Sequence, residues 1–315
     1  MRIGFSGLGR MGGNMVARLL ENGHEVVVLN RSPEPVEEAV KLGAIAATDY
    51  KDLASKMNPA IIWLMLPENI TQDHVTKALE ALPEGGILIN GANSRYTDST
   101  KYAEQARQKK VLYLDVGTSG GILGRKAGYA MMIGGDEQAV EAVRPILESL
   151  APAGGGWGCF GPAGAGHFVK MVHNAIEYGM MESYVEGYRM LKEGPYKGID
   201  LAKVGGVWQH GSIVDSLLNE MARQALAENP EMTGVEGVVA ESGEARWTLE
   251  TAKELNMPMP SIQAAFDVRL ASQKGEITYA TKLLAAIRNK FGGHALNPTD
   301  PNHSEAEKGS RTIAR

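Results

Sequence analysis

Two patterns of apolar and polar positions follow one another along the chain. In the first half, short apolar runs alternate with longer amphipathic stretches. Runs such as Ile61-Ile62-Trp63-Leu64-Met65-Leu66 are apolar at consecutive positions, as in a strand covered on both faces. The expected strands are 2–6, 25–30, 60–66, 86–90, 111–116, 129–134 and 158–160, with helices at 14–22, 35–42, 70–82, 98–109 and 136–150. Strand–helix alternation of this kind implies a doubly wound, mostly parallel α/β sheet. From Ala165 the strand signals vanish. A long helical stretch runs to about Leu191 and halts at Gly194-Pro195. Further helices are expected at 201–209, 214–224, 235–254, 261–272 and 279–291. The expected organisation is therefore a Rossmann-type domain at 1–162, an all-α domain at 163–296 and a polar, disordered tail at 297–315.

Composition narrows the class only a little. A chain of 315 residues is long enough for two domains and for a core that needs no staples. Its formal net charge of −5 argues against a nucleic-acid partner, which calls for a basic excess. No apolar run reaches the ~20 residues of a membrane span. Met1-Arg2-Ile3 runs straight into a strand, so no leader is expected and cytoplasm is the expected location. No metal site is expected. The single cysteine, Cys159, lies in the apolar run Trp157-Gly158-Cys159-Phe160 and is expected to be a buried packing residue in a reducing compartment.

Gly7-Leu8-Gly9-Arg10-Met11-Gly12 is a GxGxxG run. Glycine-rich turns are common, but this one follows a strand and opens a helix, the setting that binds a dinucleotide pyrophosphate. The first glycine permits the turn, the second lets the backbone approach the phosphates, and the third allows helix and strand to pack closely. The helix N-terminus adds free amides and a positive dipole end. About 20 residues on, where an NAD site carries an acidic group for the ribose, the chain reads Leu29-Asn30-Arg31-Ser32. Asn30 has no charge to repel a phosphate, and Arg31 and Ser32 offer donors to one. NADP is therefore favoured, with NAD possible.

Lys170, Asn174 and Glu177 stand at i, i+4 and i+7, on one face of a helix, with His173 beside them. A lysine and a carboxylate facing one pocket can perform two successive proton transfers. By spacing alone the face reads as a solvated salt-bridge surface, and the Asn174 amide between the charges and the glycine-rich approach at 161–166 turn the reading towards a site. A second candidate is Asp115-Val116-Gly117-Thr118-Ser119-Gly120-Gly121. The Gly120 and Gly121 amides with the Ser119 hydroxyl could form a nest for a carboxylate, or the run could be an ordinary flexible loop.

These residues carry a resemblance. The chain resembles the β-hydroxyacid dehydrogenase superfamily and, within it, the short-chain form of the decarboxylating 6-phosphogluconate dehydrogenases, over roughly residues 1–296. The glycine run with Asn14-Met15 resembles the superfamily's opening fingerprint, and Asp115 to Gly121 its substrate loop. The stretch from Gly166 through Lys170-Met171-Val172-His173-Asn174-Ala175-Ile176-Glu177-Tyr178 is similar to the family's catalytic helix. Arg246-Trp247-Thr248 resembles its Lys-Trp-Thr phosphate segment, with Arg for Lys. Arg288-Asn289-Lys290-Phe291-Gly292-Gly293-His294 resembles its Arg…Phe-Gly-x-His segment. Two departures are Ala92 in Asn90-Gly91-Ala92-Asn93-Ser94 and Ala175 on the helix, each where the family commonly has Gly.

The resemblance implies oxidative decarboxylation of 6-phosphogluconate to ribulose 5-phosphate and CO2. Lys170 would be the base and Glu177 the acid that protonates C1, with Asn174 and His173 orienting the substrate. Leu66, Pro67 and Asn93 would join the glycine run, Asn30, Arg31 and Ser32 around the cofactor, with Asn93 also near substrate. Ser119, Gly120 and Gly121 would hold the carboxylate. Tyr178, Arg246, Thr248, Arg269, Arg288 and His294 would hold the phosphate. It also implies a homodimer or higher oligomer whose C-terminal segment completes the partner's site. The arginines fit a phosphorylated sugar acid as permanently charged planar donors. A simple hydroxy acid such as 3-hydroxyisobutyrate has little use for them. A non-enzymatic NADPH sensor would not need the Lys170/Glu177 pair.

Overall fold

The computed structural model describes residues 1–297, and the chain divides into two compact units at Lys170/Met171. The division falls inside a helix, past the expected boundary near residue 162. The first turns of that helix pack with the sheet unit, as set out below.

The first unit runs β1 (Arg2–Ser6), α1 (Arg10–Glu21), β2 (Glu25–Leu29), α2 (Pro33–Lys41), β3 (Ile45–Ala46), α3 (Tyr50–Ser55), β4 (Ile61–Leu64) and α4 (Glu68–Ala81). It continues with β5 (Ile87–Asn90), α5 (Tyr96–Gln108), β6 (Leu112–Ser119), a 3-10 turn (Gly121–Leu123), α6 (Gly124–Ala127), β7 (Ala130–Gly135), α7 (Glu137–Leu150) and β8 (Trp157–Cys159). The strands form one eight-stranded sheet in the order β3-β2-β1-β4-β5-β6-β7-β8. All neighbours are parallel except β6 and β7.

Alternation along the strands feeds two cores. Ile3, Phe5, Val26, Val28, Ile61, Trp63, Ile87 and Ile89 pack with α1 and α7, whereas Val27, Ile62, Leu64 and Leu88 pack with α3, α4 and α5. This is the doubly wound arrangement the unbroken apolar runs call for. Three features depart from the sequence reading. β3 and α3 were not expected, because two and six residues are too few to show a period. β6 continues to Ser119, paired with Ala130, past the expected strand end at 116 and through most of the run from Asp115 to Gly121. Cys159 is exposed, contrary to the buried position expected. It lies on the three-residue strand β8, which no further strand flanks among the described residues.

The second unit is helical. α8 (Ala165–Glu193) carries the chain into it, followed by α9 (Leu201–Trp208), α10 (Leu217–Glu228), α11 (Glu244–Glu254), α12 (Pro260–Gln273) and α13 (Tyr279–Gly292). Their core joins Ala175, Tyr178, Met181, Val185 and Tyr188 of α8 to Leu283, Leu284 and Ile287 of α13. The helix expected over 235–254 forms only from Glu244. Gly237 and Gly243 take φ of 80° and 98°, which a right-handed helix does not allow. α10 begins at Leu217 rather than 214, where the Ser216 side chain accepts from Asn219 N–H. The tail expected to be disordered lies, from residue 298 on, outside the described residues. Among the described residues no helix is long and apolar enough to cross a membrane.

Candidate active site

The glycine run forms the turn between β1 and α1. Gly7 has φ 98°, and a Cβ there would overlap the Met65 carbonyl oxygen. A Cβ on Gly12 would overlap the Gly7 carbonyl oxygen. Both glycines are therefore fixed by close packing. Gly9 differs, since a Cβ there would meet nothing within 4 Å. It faces open space at the N-cap of α1, which has no side-chain cap. Leu8 is buried, and Arg10 is exposed in the first turn of α1, followed by Met11. An uncapped helix start fronted by open space fits a dinucleotide pyrophosphate.

Asn30 has a structural duty at this turn. Its Oδ1 accepts from Leu8 N–H at 3.0 Å and its Nδ2 donates to the Ser32 carbonyl at 3.1 Å. Both ends of its amide thus tie the end of β2 to the glycine loop. Arg31 is exposed, and Ser32 is the N-cap of α2. Leu66 and Pro67 follow β4, with Pro67 capping α4. Past β5, the fully buried Asn90 accepts from Ala92 N–H at 3.1 Å and donates to Ser94 Oγ at 3.3 Å. This latch leaves Asn93 exposed. Ser119 ends β6, and Gly120 and Gly121 turn the chain with φ of 131° and 54°.

Asp115, on β6, controls the start of α8. Its carboxylate is fully buried and accepts from Gly164 N–H at 2.6 Å and His167 N–H at 2.7 Å. Two N-terminal amides of a 29-residue helix thereby meet an anion, which both satisfies them and complements the helix dipole. His167 Nδ1 lies 2.7 Å from Ser99 Oγ. A Cβ on Gly117 would overlap Lys170 Cβ, so the lysine stem lies directly on bare backbone. Asp115 and Gly117 thus set the height and rotation of α8 at Lys170.

Farther along α8, in the second unit, the ionisable groups come from four helices. His173 Nδ1 lies 2.9 Å from Asn174 Oδ1, and Asn174 Nδ2 donates to Glu244 Oε1 at 2.6 Å. Tyr178 is buried, and its hydroxyl accepts from Ser242 N–H at 3.2 Å. The Arg269 guanidinium stacks on the Tyr178 ring at 3.2 Å from its centroid. Arg269 is 1% exposed, and neither of its Nη atoms has a hydrogen-bond partner. Burial pulls its pKa down to about 10, with Arg288 adding repulsion against the attraction of Glu177 and Glu182. Arg288 is also buried, which lowers its pKa, while Tyr178, Glu177 and Glu244 act in the opposite direction. Two buried guanidiniums are costly unless an anion joins them. Arg269, with open donors, is the group that demands one.

Not every expected phosphate contact is poised. Arg246 is ion-paired with Glu241 at 2.7 Å and lies over the Phe266 ring. Thr248 Oγ1 lies within reach of two carbonyls, Met171 at 3.0 Å and Glu244 at 2.8 Å, so its one proton is engaged with backbone. His294 follows α13, its carbonyl accepting from Asn289 Nδ2 at 2.8 Å. The resemblance implies that the Arg288 segment serves a partner's site. Within this single chain, Arg288 lies with Glu177 and Tyr178 of that same chain.

Three groups escaped the sequence reading as site residues: Asp115 as a clamp, Glu182 and Glu244. Glu182 is buried on α8 with Oε2 lacking a partner, and burial, with repulsion from Glu186, pushes its pKa up to about 7 against the pull of Arg269. The signal for it was an acid inside the apolar period Ala175, Tyr178, Met181, Val185. For Glu244 it was an acid opening a helix directly before the Arg246-Trp247-Thr248 segment.

The sheet and its glycine turn define a nicotinamide-dinucleotide oxidoreductase joined to a helical unit that carries buried cationic groups. Residues 2–161 match the NAD binding domain of 6-phosphogluconate dehydrogenase, and residues 166–296 match the 6-phosphogluconate dehydrogenase C-terminal domain. The chain belongs to the 6-phosphogluconate dehydrogenase family. It is 37% identical over 296 residues to a putative 6-phosphogluconate dehydrogenase of Bacillus subtilis, covering 94% of this chain and 99% of that one. It is 35% identical to the NAD(+)-dependent, decarboxylating 6-phosphogluconate dehydrogenase of Haloferax volcanii, covering 95% and 100%. A Plasmodium falciparum 6-phosphogluconate dehydrogenase, solved with NADP+ and with 6-phosphogluconate, superposes with a TM-score of 0.77 at 28% identity, covering 98% of this chain and 68% of that one.

Proposed function

We propose that this chain oxidises and decarboxylates 6-phosphogluconate to ribulose 5-phosphate and CO2, with NADP preferred over NAD. The observation that carries the reading is Arg269, a buried guanidinium with open donors, held beside Tyr178, Arg288 and Glu177. A phosphate dianion satisfies that cluster, and a small unphosphorylated hydroxy acid does not.

When bound, the nicotinamide supplies the two-electron acceptor for the C3 hydride. Lys170, neutral at that moment, removes the C3 hydroxyl proton. In the 3-keto acid so formed, protonated Lys170 hydrogen-bonds the ketone oxygen and stabilises the enolate as CO2 leaves. Glu177 then delivers a proton to C1 of the enediol. Asn174 and His173 orient the sugar hydroxyls, Asn93 helps to align substrate with cofactor, and Ser119, Gly120 and Gly121 hold the carboxylate. Arg269, Arg288 and Tyr178 bind the phosphate. His294 joins them, and Arg246 and Thr248 do so only after leaving the partners they have here.

The deciding experiment follows reduced-nicotinamide absorbance and CO2 release with 6-phosphogluconate and each cofactor. Turnover with both readouts in step is expected. Oxidation of 3-hydroxyisobutyrate, with no turnover of 6-phosphogluconate on either cofactor, would overturn the reading. The working enzyme is proposed to be a cytoplasmic homodimer. Mixing Lys170→Ala with Arg288→Ala chains locates Arg288. Its position within one chain predicts no recovery of activity, and recovery places it in the partner's site.

A further inference from the structure

Glu244 is absent from the reaction sequence above, yet its carboxylate is buried and bonded to a residue of the proposed site. It occupies the first turn of α11, whose N-cap, Gly243, takes φ 98°. A carboxylate there meets the positive end of the helix. Its backbone carbonyl lies 2.8 Å from Thr248 Oγ1, which ties the turn to the next one.

An ionised carboxylate can only accept hydrogen bonds, while an asparagine amide donates from one end and accepts at the other. Glu244 Oε1 therefore selects the Nδ2 end of Asn174, at 2.6 Å. The opposite end, Oδ1, is then turned to His173 Nδ1 at 2.9 Å. A carbonyl oxygen can only accept, so Nδ1 must carry the ring proton. In the neutral ring that leaves Nε2 as the lone-pair acceptor.

We infer that Glu244 is a positioning residue that fixes the orientation of the Asn174 amide and, through it, the tautomer of His173. The inference rests on the reading that Asn174 and His173 orient the sugar acid, and it adds the group that orients them. Without Glu244 the amide could rotate by half a turn. His173 would then face a donor and shift its proton to Nε2, removing the acceptor offered to a substrate hydroxyl.

The test is Glu244→Gln, which keeps the shape of the side chain but presents a donor as well as an acceptor. Nitrogen NMR of histidine-labelled protein at about pH 8.5, where an ordinary imidazole is neutral, reads the ring tautomer without substrate, the His173 signals being assigned by their loss in His173→Asn. Wild type should show the Nδ1–H form and E244Q a mixture. kcat for 6-phosphogluconate should fall ~10-fold with cofactor KM unchanged. Glu244→Asp, which remains acceptor-only, should recover the tautomer and most of the rate. The inference is overturned if wild type carries its proton on Nε2, or if E244Q leaves the tautomer unchanged, whatever happens to kcat. A wild type inactive on 6-phosphogluconate would sink the functional reading instead, and the ring spectra would still decide this inference.

Discussion

At the glycine turn the start of α1 offers backbone with no side-chain cap, whereas along α8, α12 and α13 the groups on offer are ionisable side chains held largely out of water. The first arrangement needs bare backbone. Gly7 and Gly12 have no room for a Cβ, and Gly9 faces open space. The second needs charges kept where they are poorly solvated, and Arg269 shows the cost in its lowered pKa and open Nη atoms. A backbone site is cheap to maintain and general in what it binds, since any pyrophosphate suits it. A buried-charge site is costly without its ligand and correspondingly selective. On the proposed reading, the nucleotide half sets the reaction class and the helical half selects the substrate.

The sharpest way to break this division is at Lys170, whose stem rests on the sheet unit at Gly117. Lys170→Ala should leave cofactor binding intact and lower kcat by ~10²–10⁴-fold. Cofactor affinity is read by fluorescence titration of the reduced nicotinamide. Near wild-type turnover would mean that the base lies elsewhere.

Arg269→Met tests the cost of buried charge directly. The substitution keeps much of the apolar volume but removes the cation stacked on Tyr178. KM for 6-phosphogluconate should rise about 100-fold, the loss of charge-assisted bonds to a phosphate. Thermal stability without ligand should hold or rise, because an uncompensated buried charge is gone. A variant that lost stability and kept KM would reduce Arg269 to a packing residue.

Glu182 gives a smaller, pH-dependent effect in the same cluster. Its pKa stands at about 7 in the folded chain against the usual glutamate value of 4.5. Between those values the folded state holds a proton that the unfolded state has released. Its contribution to stability is therefore full below the unfolded pKa and declines as pH rises through about 7. Glu182→Gln should remove that decline, so unfolding midpoints of variant and wild type should separate progressively from pH 5 to pH 8. Parallel curves would mean that Glu182 is not held protonated.

The same contrast explains what could be read from the residues alone. The glycine spacing, the strand–helix alternation and the α8 face of Lys170, Asn174 and Glu177 are local signals, each within one or two elements. β3 and α3 were silent because they are shorter than a readable period. α11 began late because Gly237 and Gly243 break a stretch that otherwise looks helical. Glu244 bonds to Asn174 across 70 residues of sequence, and Asp115 reaches His167 across 52. No spacing rule links such pairs, since each is made by tertiary packing. Arg246 shows the converse, because its motif was plain but its present partner, Glu241, was not.

The smallest expected effect lies at the end of β2, where the proposed preference for NADP over NAD is placed. Asn30 is proposed as a cofactor contact, and its amide also ties Leu8 N–H to the Ser32 carbonyl. What it offers a ribose phosphate is the absence of a carboxylate. Arg31 is exposed at the entrance to α2, so any attraction to a 2′-phosphate is screened by water and salt. Arg31→Ala should lower the ratio of kcat/KM for NADP over NAD by about 5–10-fold, chiefly through KM for NADP. Raising ionic strength should shrink the wild-type preference towards that of the variant. Asn30→Asp should act in the same direction by adding repulsion, and it should also leave Leu8 N–H satisfied, since the new oxygen still accepts. If Arg31→Ala leaves the ratio unchanged while Asn30→Asp lowers it, selectivity rests on a missing negative charge rather than on an added positive one.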